Sequence, residues 1–190
     1  MSSYDWVECL AWAETDGTAY TGNGSLVTLL PPAAKYITPG SKFWRVGKAL
    51  RITAAGRISN IVTTPGTLTL AAAVGPTANI AAFTSQALAL NIVAKTNVSW
   101  WLDLLLTCRS IGSGTAATIM GEGRFESESL VIPVAGWIAG NPSAMQLPAS
   151  APAAGTGFDS TVASVIDLQA NFSLTGNAMT LHNYRLYAEN

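Results

Sequence analysis

Apolar and polar residues alternate with period two along much of this chain, and the clearest run is Val98 to Arg109. Trp100, Leu102, Leu104, Leu106 and Cys108 fall on one side of an extended segment; Trp101, Asp103, Leu105, Thr107 and Arg109 fall on the other. One wholly apolar face opposite a mixed face predicts an outer strand of a sandwich. A helix would set Asp103 beside Trp100 and Leu106 within a single apolar stripe, so the strand is preferred. Leu50, Ile52 and Ala54 alternate in the same way with Arg51 and Thr53. Leu68, Leu70, Ala72 and Val74 alternate with Thr67, Thr69 and alanines, and Leu88, Leu90 and Ile92 follow. Glu122, Arg124, Glu126 and Glu128 alternate with Gly123, Phe125, Ser127 and Ser129, which predicts a strand with a solvated face. Val162, Ser164, Ile166, Leu168, Ala170 and Phe172 make a further row.

Thr64-Pro65-Gly66, Gly75-Pro76, Gly112-Ser113-Gly114 and Gly176-Asn177 stand between these runs and supply turns. One segment also admits a helix: Asp159 could cap a turn carrying Val162, Val165, Ile166 and Gln169, but its Ser, Thr and Val content favours a strand. Short strands in series with regular turn signals predict an all-β chain, a single-domain antiparallel β-sandwich, jelly-roll-like, with little or no helix. Residues 1–22 read as an N-terminal arm or a first strand, and 23–190 as the sandwich. Within the latter, 136–157 is a long connection rich in Pro, Ala and Gly, too apolar for a solvated linker and expected to lie against this subunit or another.

Composition changes the picture in one respect. Only 11% of the 190 residues are charged while 49% are hydrophobic, against roughly 25% charged in an ordinary soluble domain. Such a surface must be largely neutral or apolar, and large apolar patches mark contacts with other proteins. The most apolar stretch, Val98 to Leu106, contains Asp103 and is too short to span a bilayer, so no membrane partner is expected. The start of the chain has no basic segment followed by an apolar run, so it does not read as a secretion signal and synthesis in a cytoplasm is expected. The formal charge is −1, and Lys42, Arg45, Lys48, Arg51 and Arg57 are interleaved with apolar residues, so direct nucleic-acid binding is not expected.

Candidate chemistry is sparse. The two cysteines, Cys9 and Cys108, make neither a disulfide framework nor a metal site, and Cys108 falls on an apolar strand face. His182 is the single histidine, set among alternating strand residues where a structural role is favoured over catalysis. Gly112-Ser113-Gly114-Thr115 lacks the Gly-Lys-Ser/Thr ending of a phosphate loop, Gly121-Glu122-Gly123-Arg124 is equally unspecific, and a nucleophile elbow is absent. Asp103, Asp159, Asp167, Glu122, Glu126 and Glu128 could supply a carboxylate pair, but the sequence dictates no pairing. Asp159, in Gly157-Phe158-Asp159-Ser160-Thr161, is expected to cap local backbone N–H groups. No catalytic residue, metal or cofactor is therefore assigned.

Six tryptophans remain. Trp100 and Trp101 are adjacent, so on a strand they face opposite sides: one enters the core, the other a second layer or a neighbour. Aromatic side chains anchor subunit interfaces, and that use or a core role is favoured over stacking on sugar rings. Tyr4, Trp6, Trp12, Trp44, Trp101 and Trp137 are the expected interface residues.

Several stretches together resemble a group of tailed-bacteriophage virion proteins, of the small β-sandwich sort that decorate or cement capsids. They are Phe43-Trp44-Arg45-Val46-Gly47-Lys48, GRISNIVTTPGTLTL from Gly56, WWLDLLLTCRS from Trp100, LPASAPAAGTGFDST from Leu147 and LHNYRLYAEN from Leu181. The resemblance covers most of the chain after the first twenty or so residues and is one of overall pattern and phrase. It implies a non-enzymatic subunit on the capsid exterior that binds the major capsid protein, forms a homotrimer or homodimer, and opposes the outward pressure of packaged DNA. The first twenty residues would then be an arm that orders on a neighbour, or an ordinary first strand or cover for the base of the sandwich. The alternative is a carbohydrate-binding tail or fibre module that recognises a host surface, which requires an exposed aromatic pair with amide and carboxylate groups nearby.

Overall fold

A computed structural model describes residues 7–40, 42–131, 143–149 and 151–189. The protein is an antiparallel β-sandwich. Its strands are β1 (Val7–Trp12), β2 (Val27–Thr28), β3 (Tyr36–Ile37), β4 (Ala49–Asn60), β5 (Thr67–Val74), β6 (Ile80–Thr84), β7 (Leu88–Ala89), β8 (Lys95–Ser110), β9 (Thr118–Ser127), β10 (Ser143–Leu147), β11 (Val165–Phe172) and β12 (Ala178–Glu189). The larger sheet has the order β1-β12-β4-β8-β9-β10, and the smaller β2-β11-β5-β6, with β3 beside β11 and β7 beside β5. The described helical content is one 3-10 turn, Pro32–Ala34. No described helix is long and apolar enough to cross a membrane.

The alternation read from the sequence is the burial pattern of the strands. On β8, Trp100, Leu102, Leu104, Leu106 and Cys108 are buried, while Trp101, Leu105 and Arg109 are exposed. They meet Leu50, Ile52 and Ala54 of β4 and Leu181, Tyr184 and Leu186 of β12 on the same inner face. Across the gap, Leu68, Leu70, Ala72 and Val74 of β5 and Ile166, Leu168, Ala170 and Phe172 of β11 close the core. Each buried Leu or Phe withdrawn from water contributes on the order of 1.5–3 kcal/mol, so this two-layer core dominates the fold. Tyr20 stacks on Phe172 with centroids 5.7 Å apart and seals one flank.

The two readings of 159–172 divide at Val165. Strand β11 runs from Val165 to Phe172, while Asp159–Ser164 is irregular, so Val162 lies exposed outside the row proposed for it. Ile92 likewise leaves its row: β7 ends at Ala89 and Ile92 is exposed in the following loop. The connection assigned to 136–157 contains a strand, β10, which pairs with β9. After it, Gly155 N–H donates to Ile119 O at 2.8 Å, so this apolar stretch lies on its own subunit. Residues 136–142 and 150 of that connection lie outside the described residues.

Chain from Val7 belongs to the larger sheet. β1 is its edge strand, pairing Val7 with Glu189 and Trp12 with Arg185. The segment that follows stays on β12 through Ala13 N–H to Tyr184 O at 3.1 Å, Gly17 N–H to Leu181 O at 2.9 Å and Tyr20 N–H to Met179 O at 2.8 Å.

Candidate functional site

Trp44, expected at an interface, is instead a core residue, 4% exposed. Its indole packs edge-on against Phe43 at 5.0 Å and Phe158 at 5.1 Å, and Tyr36 extends the cluster. These rings plug one end of the sandwich, and Lys48 Nζ sits 4.2 Å above the Phe43 ring. Burial pulls the Lys48 pKa down from the usual lysine value. Trp12 and Trp101 are outward, at 53% and 49% exposed. Tyr4, Trp6 and Trp137 lie outside the described residues.

The outer face of the larger sheet is ordered by strand register. One row across it reads Trp12, Arg185, Thr53, Asp103, Arg124, and the next reads Asn183, Ala55, Trp101, Glu126. Several charges in and beside the first row are paired. Arg51 grips Asp103 with two bonds, Nε to Oδ1 at 2.8 Å and NH2 to Oδ2 at 2.5 Å. Those hydrogen bonds, and then the carboxylate charge, raise the arginine's pKa further. Arg124 reaches Glu126 at 2.7 Å, and Arg185 donates to the Tyr187 hydroxyl at 3.2 Å. Side chains held in this way give a stiff, self-satisfied polar surface, although exposed pairs add little stability.

The second row encloses a depression. His182 is the extra residue of a β-bulge between Leu181 and Asn183 on β12. Opposite it stands Gly56, where an added Cβ would lie 1.9 Å from Thr180 O, so only glycine allows the strands to approach there. The bulge and the small residues Ala55 and Gly56 leave a trough of about 500 Å³ beside Trp101, with Arg57, Asn97, Glu126, His182 and Asn183 around it. On its other side Trp101 borders a second depression of about 400 Å³, reached by Thr53, Asn183, Arg185 and Tyr187. Both volumes fall in the range of small-molecule sites.

The ends of the sandwich are apolar. At one end, loop 61–66 is tied to loop 91–94 by Thr63 N–H to Ile92 O at 2.9 Å, beside the turn 173–177, and Val62, Ile92, Val93 and Leu174 are exposed there. At the other end, around Gly40, Gly112 and Ser160, the exposed residues are Ile37, Val46, Ile111 and Val162.

No protein-family model, curated protein or solved structure matches this chain. The acidic and basic candidates are dispersed. His182 Nδ1 is 2.8 Å from Asp16, pinning the segment after β1 to the bulge. Asp167 is buried on the smaller sheet, bonded by Thr28 Oγ1 at 2.6 Å and Lys35 Nζ at 3.0 Å. Asp159 accepts from Gly114 N–H at 2.9 Å and Thr161 N–H at 2.8 Å, so it clamps two loops together, as its sequence context predicts. Hydrogen bonds from Thr161 and Gly114 hold its carboxyl below the usual value. Among the described residues no cluster of three or more His, Cys, Asp or Glu could hold a metal ion. Cys9 is exposed on β1; Cys108 is buried, and burial raises its thiol pKa.

Asn97 and Asn183 were not singled out in the sequence. Asn97 sits within the first residues of β8, at an irregularity in its pairing with β4, with a positive φ of 53°, and Asn183 reaches Trp101 only through the β12–β4–β8 register. An isolated asparagine in a strand-rich chain reads as turn material, and nothing local marks these two.

Proposed function

We propose that this chain is a non-enzymatic structural protein of a phage virion, a decoration or cement subunit. It oligomerises and binds the major capsid protein on the exterior of the head. The observation that carries the reading is the pair of apolar tips: Val62, Ile92, Val93 and Leu174 at one end, Ile37, Val46, Ile111 and Val162 at the other. Eight exposed aliphatic side chains gathered at the two ends of the sandwich, in a chain only 11% charged, are costly in water and are relieved by burial against protein. Loops at the ends of a rigid sandwich are also the segments free to shape a contact without disturbing the core. Closed symmetry lets each copy cover a neighbour's tip, as a homotrimer or homodimer, and leaves the second tip for the capsid. A stable contact of this kind buries about 800 Å² per partner.

Sedimentation of the purified protein at micromolar concentration, with and without genome-filled but undecorated capsids, tests this. The expected result is a discrete oligomer of the 19.8 kDa chain that binds capsids stoichiometrically and raises their melting temperature. Replacing Val62, Ile92 and Val93 by Ser should weaken one of the two contacts. A chain that stays monomeric and ignores capsids would overturn the proposal.

A further inference from the structure

The trough beside Trp101 has a chemistry that subunit assembly does not use, and we infer that it is a glycan-binding site that takes a short oligosaccharide across the indole. The inference does not depend on the virion reading. Elsewhere on this face several charged groups are paired: Arg51 with Asp103, Arg124 with Glu126, Arg185 with Tyr187, and Lys95 with Glu128 at 3.7 Å. Around the trough Glu126 and His182 are engaged by Arg124 and Asp16, but three other polar side chains are not. The side chains of Arg57, Asn97 and Asn183 are exposed and make no hydrogen bond or ion pair with any described residue. Two primary amides and a guanidinium with their full hydrogen-bonding capacity therefore surround one half-exposed indole.

That combination matches a sugar. A pyranose ring presents C–H groups on its face and hydroxyls around its edge. The C–H face packs on an indole, which contributes contact area at small entropic cost. Each hydroxyl both donates and accepts, as does an asparagine amide, so Asn97 and Asn183 can each serve vicinal hydroxyls. Arg57 adds a forked donor suited to paired oxygens or to the carboxylate of an acidic sugar. Trp101 borders both depressions and Asn183 lies in both, so successive sugar units would sit on either side of the ring.

Other occupants fit less well. A protein partner would have to match two amides and a guanidinium with its own donors and acceptors at the centre of its contact, or leave them buried and unpaired, which is costly. A nucleic acid needs a row of cations, and the trough offers Arg57 alone without an engaged carboxylate or hydroxyl.

The test is a printed array of bacterial lipopolysaccharide O-chains, capsular oligosaccharides and neutral plant and animal glycans, probed with the full chain. The strongest-binding oligosaccharide is then titrated while tryptophan fluorescence is followed. Binding should perturb the fluorescence. Trp101→Ala should weaken affinity about tenfold or more, and the double variant Arg57→Met/Asn183→Leu should do the same without removing the ring. Val27→Ser, on the smaller sheet, should bind as the parent does. Silence across the array overturns the inference, as does binding that survives both trough variants. Loss of capsid binding with glycan binding intact would sink the virion proposal and leave this one standing.

Discussion

Lys35 and Asp167 form an ion pair at 3.0 Å that ties the segment after the Pro32–Ala34 turn to the middle of β11. The carboxylate is 1% exposed, while the lysine side chain keeps 27%. Thr28 Oγ1 and Gln169 Nε2 also donate to the carboxylate, at 2.6 and 3.3 Å, so its oxygens are surrounded by donors.

Removing either partner leaves a buried group mismatched. Lys35→Met and Asp167→Asn should each lower the unfolding free energy by roughly 1–3 kcal/mol, below the full value for a buried pair because the lysine reaches water. The double variant should cost less than the sum by about 1 kcal/mol or more. Urea denaturation of the four proteins measures this, and simple additivity would show that the two side chains do not support each other.

Trp100 and Trp101 should separate folding from binding. Trp100 is 2% exposed, and its indole N–H lies 3.2 Å from both Arg57 O and Thr180 O. Trp100→Ala should cost about 3–5 kcal/mol by opening a cavity in the core. Trp101→Ala should cost less than about 1 kcal/mol, since half of its surface is already in water. Thermal melts decide the matter; equal losses would mean that Trp101 is a structural residue.

Asp159 predicts a dependence on acidity. Its carboxyl is held below the usual value by hydrogen bonds, first from the Thr161 side chain and then from the Gly114 and Thr161 backbone. A folded-state value below the unfolded one contributes stability above the unfolded pKa, and that contribution is lost as pH falls through the folded one. The melting temperature of Asp159→Ala should therefore lie below that of the parent at neutral pH, and the gap should close as the pH drops below roughly 4. A gap that persists at the acid end would show that the clamp between loops 112–114 and 159–161 does not depend on the charge.

Residues with a strong local period were legible. On β8 and β4 the side that is apolar in the sequence is the side that is buried, because a strand's two faces are set by parity alone. The same parity placed Trp100 and Trp101 on opposite faces. Trp44 was misplaced because it sits in a turn-rich segment with no period to assign a face, and only the meeting of Phe43, Phe158 and Tyr36 brings it inside. Val162 and Ile92 were carried too far because alternation in a sequence does not mark where pairing stops.

Parity, composition and turn chemistry are local properties, so the chain by itself determined that it is an antiparallel sandwich with few charges outside. The trough is not local. Asn183, Ala55, Trp101 and Glu126 come from four strands, and they stand in one row only because β12, β4, β8 and β9 pair in this register. A slip of one residue would turn Trp101 inward and disperse the row, and the bulge at His182 adjusts the fit. Tertiary structure alone decided which polar side chains were paired and which were left facing solvent beside the indole.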